Sequence, residues 1–346
     1  TNKAAKEMKE RLGNILGQDV VKYMWVGTFH GICGRILREN IENYSFQSGK
    51  KLDKNFSIYD ETDSNAVIKQ AVKKLNLDDK VYAPKLVKTI ISNAKNKMQD
   101  AYTFATFARD FKSQKIAAIY EEYENALNNN NAIDFDDMLL LTVKLLEQCK
   151  EVRQLYYDRF QHILVDEFQD INALQFRLVQ AWNRNGKSLF VIGDPDQSIY
   201  GFRGSDAHCF ARLEESFPAM RSIRLLKNYR STPEILRCAL PVISENEGLQ
   251  RLLEAQHPSG ALVRCVTAES DLSEGIYIAK EINRMVGGID MLDSDAGFSH
   301  AEDAPPRSFS DIAVLYRTHR QADLVEKCLR REGIPCVIAG RDDFLA

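Results

Sequence analysis

The segment Ile163-Leu164-Val165-Asp166-Glu167-Phe168-Gln169-Asp170 ends a short apolar run on two adjacent carboxylates. A buried strand would deliver both to its carboxyl end and, by alternation, turn them apart. Asp166 can then hold a Mg²⁺ ion while Glu167 reaches an attacking water, a division of labour suited to nucleotide hydrolysis. The plainer alternative is an acidic turn after a strand. A second apolar run leads into Gly193-Asp194-Pro195-Asp196-Gln197-Ser198-Ile199-Tyr200-Gly201-Phe202-Arg203-Gly204. Its glycines permit a tight loop, and Gln197 is a neutral group able to bond both a phosphate oxygen and a water, as a γ-phosphate sensor must. Tyr200 and Phe202 interleave with Arg203, and aromatics beside a cation are how proteins hold single-stranded bases, at roughly 1–3 kcal/mol per stack. Taken singly these rings are more often core residues, and Arg203 an ordinary surface cation. The third constellation is Leu225-Leu226-Lys227-Asn228-Tyr229-Arg230-Ser231-Thr232-Pro233. Here Tyr229 can stack on a nucleobase and Arg230 can neutralise a γ-phosphate. The same segment reads as a helix start, with Ser231 as cap and Pro233 in the first turn.

Three strand–loop–helix units must position these groups. Residues 22–26, 162–165 and 189–192 each read as a strand followed by polar or glycine residues and a helical pattern. That repetition predicts a parallel sheet with helices on its faces, where ligands collect at the carboxyl ends of the strands. Ala4, Met8, Leu12 and Ile15 recur at helical spacing, with Thr1 or Asn2 as the cap, so the chain opens at the foot of a helix. Residues 41–131 read as charged amphipathic helices with little strand signal, an insertion between two strands of one sheet. Within it Lys85, Lys88, Lys95, Lys97, Arg109, Lys112 and Lys115 face only Asp100 and Asp110 as counter-charges, which fits either a solvated helix surface or a phosphate-contacting patch. A second α/β unit is predicted from about Phe217, with strands at 261–266, 311–316 and 336–339 and a helix at 321–332. Residues 287–306, acidic and rich in glycine and proline, read as a loop. No internal repeat is evident.

Composition narrows the class. The 346 residues are 44% hydrophobic and 27% charged, enough for about two domains and outside the range of disordered chains. No apolar run approaches the roughly 18 residues needed to cross a bilayer, so no membrane partner is expected. The seven cysteines form no CxxC pair, which argues against a zinc site or a disulfide framework and fits a reducing cytoplasm. A net charge of −3 neither demands nor forbids a nucleic-acid partner, because local patches matter more than the sum.

Together these segments resemble the UvrD/Rep/PcrA family of superfamily I DNA helicases. Thr1-Asn2-Lys3-Ala4-Ala5 is similar to the family's motif Ia, Gly27-Thr28-Phe29-His30 to motif Ib, and Asp134-Phe135-Asp136-Asp137-Met138 to its acidic helix start. Asp166-Glu167-Phe168-Gln169-Asp170 is similar to motif II, the Gly193 to Gly204 loop to motif III, and Asn228-Tyr229-Arg230-Ser231 to motif IV. The order is the family's order over essentially the whole chain. The resemblance implies an α/β fold of the P-loop NTPase type. It comprises a RecA-like motor domain at 1–40 and 132–216, a helical insertion at 41–131, and the first part of a second RecA-like domain at 217–346. It implies ATP and Mg²⁺ as ligands, with Asp166 on the metal, Glu167 activating water, Gln197 sensing the γ-phosphate, Tyr229 stacking on adenine and Arg230 neutralising charge. Thr1, Asn2, Phe29, His30, Tyr200, Phe202 and Arg203 would grip single-stranded DNA, with Phe202 standing where the family commonly has Trp.

The implied activity is ATP-driven 3′ to 5′ movement on single-stranded DNA and unwinding at single-strand/duplex junctions, in repair or replication and alongside proteins of those processes. A Gly-x-x-x-x-Gly-Lys-Ser/Thr phosphate loop is not among these residues, nor are the family's motifs V and VI. The chain therefore reads as the middle of a helicase, expected alone to bind ATP weakly and hydrolyse none. Two other readings remain: a non-catalytic DNA-binding or interaction module, and the motor part of a helicase–nuclease.

Overall fold

A computed structural model describes residues 2–46, 52–183, 188–199, 208–246, 252–287 and 307–339, and divides into two units, 1–225 and 226–346. In the first unit, α1 (Asn2–Leu16) and the short α2 (Gln18–Val21) precede α3 (Phe29–Asn40). Thr28 starts α3 by accepting a hydrogen bond from the Gly31 N–H at 3.1 Å. Residues 22–26 are not the predicted strand. The N–H groups of Tyr23 and Met24 turn back to the Val20 and Val21 carbonyls, so the chain continues a helical turn instead of offering a ladder edge.

The next stretch has its own core. Strand β1 (Ser57–Tyr59) leads into α4 (Glu61–Lys74), α5 (Pro84–Asn96), α6 (Ala101–Phe107) and α7 (Phe111–Asn129), and β2 (Ala132–Asp134) returns to pair with β1 in parallel. Ile68, Val87, Ile91, Ile119, Tyr120 and Tyr123 pack between α4, α5 and α7. The basic run expected on this surface is split by the fold. Lys95 is fully buried, its Nζ 2.6 Å from Asp137, 2.8 Å from Glu124 and 3.1 Å from Asp134, and Lys88 reaches Asp134 and Asp136 at 2.8 and 3.0 Å. These two lysines belong to neither a solvated face nor a phosphate patch. Their aspartate partners lie some forty residues further along the sequence, which is why local counting missed them.

Asp134 and Asp137 form a reciprocal capping box that opens α8 (Phe135–Gln148). With α3, α9 (Lys150–Arg159) and α10 (Ala173–Trp182), α8 encloses a second core around Ile36, Leu37, Leu145, Tyr156 and Leu178. Strands β3 (Ile163–Val165) and β4 (Leu189–Val191) flank α10 in sequence and pair in parallel, Val165 opposite Val191. One face of this pair is covered by Phe168, Phe176, Val179 and Leu213, the last from α11 (Cys209–Ser216); Leu164 and Phe190 on the other face are exposed.

The second unit begins with β5 (Lys227–Asn228), α12 (Pro233–Ile243) and β6 (Glu254–Ala255), with β5 and β6 parallel. Thr232, not Ser231, is the cap residue of α12, and Pro233 occupies its first turn. Glu234 in that turn accepts from the Gly260 N–H and from Ser259, contacts that hold its carboxyl down to about 2. Helices α13 (Asp271–Val286) and α14 (His319–Arg331) pack through Ala279, Ile282 and Leu329. The strands predicted at 261–266, 311–316 and 336–339 have no ladder partner among the described residues. Residues 312–316 show why the sequence suggested one: Ile312 and Val314 lie against the α13–α14 core while Leu315 is exposed, a period of two without pairing. Of the loop at 287–306 only Gly287 is described; its positive φ of 97° ends α13 in the left-handed conformation.

Candidate functional site

The acidic pair sits where β3 ends. Val165 is buried, and its carbonyl accepts from the Ile192 N–H at 3.0 Å; the Phe168 N–H donates to the Ile192 carbonyl at the same distance. The loops after β3 and β4 are thus stitched together by backbone bonds. Between them Glu167 takes φ 51° and ψ 45°, a left-handed conformation that non-glycine residues adopt at a cost and that surrounding contacts must hold. Asp166 Oδ1 accepts from the Glu167 N–H at 3.0 Å, and Gln169 Nε2 donates to Glu167 Oε2 at 2.6 Å. The sequence predicted strand alternation as the means of separating the two carboxylates. The structure uses this turn instead, and both side chains are exposed.

Gln197 reaches the same place through the second loop. Asp194 opens the short helical turn Pro195–Gln197, accepting from the Asp196 N–H at 3.1 Å and from Gln197 Nε2 at 2.8 Å. The Asp194 N–H in turn donates to Gln169 Oε1 at 3.0 Å. A continuous line of hydrogen bonds therefore runs Glu167–Gln169–Asp194–Gln197. Asp166, Glu167 and Gln197, three of the residues predicted from sequence, are brought to one sheet end. Asp170 completes the turn, its carboxyl raised first by burial and then by the Glu167 charge.

Of the residues expected to hold DNA, Asn2 is exposed in the first turn of α1. Phe29 is half-buried and stacks on Trp182, ring centroids 6.0 Å apart, which fixes the start of α3 against two cores. His30 is also half-buried and meets the edge of Phe135 at 5.7 Å. Burial lowers its pKa and the nearby Asp136 carboxylate opposes that shift, so the neutral imidazole is favoured at pH 7. Thr1, Tyr200, Phe202 and Arg203 lie outside the described residues.

In the second unit, Asn228 Oδ1 accepts from the N–H groups of Arg230 and Ser231 at 3.1 and 2.8 Å and folds the segment into a turn. That turn leaves the side chains of Tyr229 and Arg230 exposed, and His257 Nε2 bonds the Tyr229 carbonyl at 2.7 Å. Sequence reasoning missed two residues that organise the site, Gln169 and Asp194. The one local signal for Gln169 was an amide set between two carboxylates, Glu167 and Asp170.

Residues 1–218 match the UvrD/REP helicase N-terminal domain and residues 223–346 the UvrD-like helicase C-terminal domain. The chain belongs to the UvrD/REP helicase family. The ATP-dependent DNA helicase PcrA of Staphylococcus epidermidis is 36% identical over 99% of this chain, and that of Staphylococcus aureus 35% identical over the same share. The chain spans 44% of the length of these relatives. Among the described residues no helix is long and apolar enough to cross a membrane.

Proposed function

We propose that this UvrD-family chain supplies the water-activating and γ-phosphate-sensing part of an ATP-driven motor. That motor moves 3′ to 5′ on single-stranded DNA and opens duplex at single-strand junctions, in repair or replication in the cytoplasm. The observation that carries the reading is the hydrogen-bonded line from Glu167 to Gln197 at the joined carboxyl ends of β3 and β4. In parallel α/β sheets that edge is where nucleotides sit. In this reading the β3–β4 pair, with helices on one face, is part of a RecA-like motor domain. The insertion at 41–131 is a subdomain with its own core, and 217–346 begins a second motor domain.

Asp166 suits Mg²⁺: it is an exposed hard-oxygen donor at a strand end, with one oxygen already oriented by the Glu167 N–H. The ion, when bound with ATP, neutralises phosphate charge. Glu167 takes the proton from the attacking water. Its Oε2 is tied to Gln169, so Oε1 is the oxygen that meets the water. Gln197, held by Asp194, exchanges that bond for one to the γ-phosphate. Tyr229 and Arg230, exposed on the second unit, contribute the adenine stack and the positive charge that phosphoryl transfer requires. Thr1, Asn2, Phe29, His30, Tyr200, Phe202 and Arg203 contact the strand.

Glu167→Gln in the complete polypeptide is expected to lower DNA-stimulated ATP turnover roughly 10²–10⁴-fold while leaving single-stranded DNA binding intact. Unchanged turnover would remove Glu167 from its role. The 346-residue chain itself, without a Gly-x-x-x-x-Gly-Lys-Ser/Thr loop among its residues, is expected to show weak ATP binding and no hydrolysis in a phosphate-release assay.

A further inference from the structure

The Gln169 side chain bridges the loops that follow β3 and β4 at this sheet end. It is 2% exposed, and both ends of its amide are engaged: Nε2 on Glu167 Oε2 at 2.6 Å, Oε1 on the Asp194 N–H at 3.0 Å. Its backbone carbonyl accepts from Ser198 Oγ at 3.1 Å, so three polar atoms of one residue fasten two loops. The second loop is shaped to admit it. A methyl group added at Gly193 would overlap Gln169 Oε1 and come within 2.9 Å of the Phe168 nitrogen, so only glycine lets the β4 loop close onto this amide.

An amide is also the side chain whose chemistry fits both neighbours at once. Glu167 offers only acceptors and the Asp194 backbone offers only a donor, so the bridging group must donate at one end and accept at the other. A carboxylate in this place would face Glu167 with like charge; an alkyl chain would leave the Asp194 N–H unpaired beside a buried wall.

We propose that Gln169 is a positioning residue that couples the two loops. It fixes the Glu167 carboxylate in its left-handed turn and, through Asp194, sets where Gln197 and the following Ser198 lie. A change at Gln197 on meeting or losing a γ-phosphate is then passed through Asp194 and Gln169 to the water-activating carboxylate, and through Ser198 to the segment leading into Tyr200. This inference rests on the nucleotide reading above, with Gln169 added as its mechanical link.

The test has two arms. In the 346-residue chain, Gln169→Met is expected to raise hydrogen exchange at the Asp194 amide at least tenfold while leaving the amides of α10 and α8 protected. In the complete polypeptide, Gln169→Met and Gln169→Glu are both expected to lower kcat for ATP about 10²-fold, with KM for ATP and nucleotide-free DNA affinity within about twofold. Gln169→Glu decides between positioning and packing, because it keeps the size of the side chain and an acceptor for the Asp194 N–H and reverses only the link to Glu167. Should Gln169→Met not fold, Gly193→Ala, which displaces the amide without removing it, is expected to give the same kcat loss. Full kcat in Gln169→Glu, beside a Glu167→Gln control that has collapsed, overturns the proposal and leaves the nucleotide reading standing. A Glu167→Gln control at full turnover overturns both.

Discussion

Two acidic pairs, about thirty residues apart in sequence, meet opposite fates in this fold. Asp134 and Asp137 are 1% and 5% exposed and close around the buried Lys95; Asp166 and Glu167 are exposed and ordered by backbone and amide donors. The first pair is locked by counter-charge. Burial alone would lower the Lys95 pKa, yet Asp134, Asp137 and Glu124 overcome it and raise the lysine pKa well above its ordinary value. Asp134 is held below the usual carboxylate range despite its burial, through Lys95 and Lys88, while burial and the Asp134 charge push Asp137 up. A carboxylate so committed has no capacity left for a ligand. The second pair lacks cationic partners among its observed contacts, and neutral donors orient it without satisfying its charge, which is the state a metal- and water-binding pair requires.

The sharpest way to break this comparison is Lys95→Met. It leaves three carboxylates facing one another in a closed space, and truncating one partner of a buried ionic cluster costs about 3–5 kcal/mol. Chemical denaturation of the chain should show that loss in the first unit; a loss below about 1 kcal/mol would mean that the cluster is hydrated and the contrast with Asp166 false. Next in size is a pH effect. Tyr120 lines the same cluster, its hydroxyl donating to the Gln99 carbonyl at 3.1 Å, and burial raises its pKa far above that of a free phenol. The folded state keeps a proton that the unfolded chain releases above about pH 10, so stability is full below that pH and falls as pH rises toward the folded value. Tyr120→Phe removes this term and should flatten the alkaline decline by about 1 kcal/mol between pH 10 and 11, read from denaturant midpoints.

How much of this was legible beforehand follows the range of the interactions. The β3 and β4 runs, the acidic turn, the Gln197 loop and the helix after Thr318 rest on neighbours within a dozen residues, and the chain states them directly. Lys88 and Lys95 looked like a surface patch because Asp134, Asp136 and Asp137 are brought to them only by the return of β2 beside β1. Residues 22–26 and 312–316 have strand-like residue types, and no local pattern records whether a neighbouring strand exists to pair with them. Phe29 carries a motif-like signal for DNA, and its stack on Trp182 is a further contact that no local pattern records, because it depends on α10, about 150 residues away. Gln169 was hidden for the same reason: its second partner, Asp194, arrives with β4.

One side chain joins the two regions. Asn172 caps α10, accepting from the Gln175 N–H at 2.8 Å, and donates to Asn96 Oδ1 at 2.7 Å; Asn96 in turn donates to Asp136 Oδ1 at 3.2 Å. Asn172→Ala should therefore cost about 1 kcal/mol as a lost cap. If the two regions were independent, the Lys95→Met and Asn172→Ala losses would add. Coupling through Asn96 and Asp136 predicts instead that the double variant departs from the sum by at least about 0.5 kcal/mol, measurable in a double-mutant cycle.

The smallest expected effect is the most discriminating for the exposed pair. Asp166→Asn keeps an Oδ1 to accept the Glu167 N–H, so the left-handed turn survives, and it removes one of two adjacent negative charges. An exposed substitution of this kind changes folding stability by no more than about 0.5 kcal/mol. The direction should be neutral to stabilising, because like charges repel and no cation is lost. If the neutral isostere folds equally well, the charge of Asp166 contributes nothing to folding and is free to serve a ligand. A destabilisation as large as that of Lys95→Met would place Asp166 in the same class as Asp134, and the assignment of this sheet end to Mg²⁺ and nucleotide would lose its physical basis.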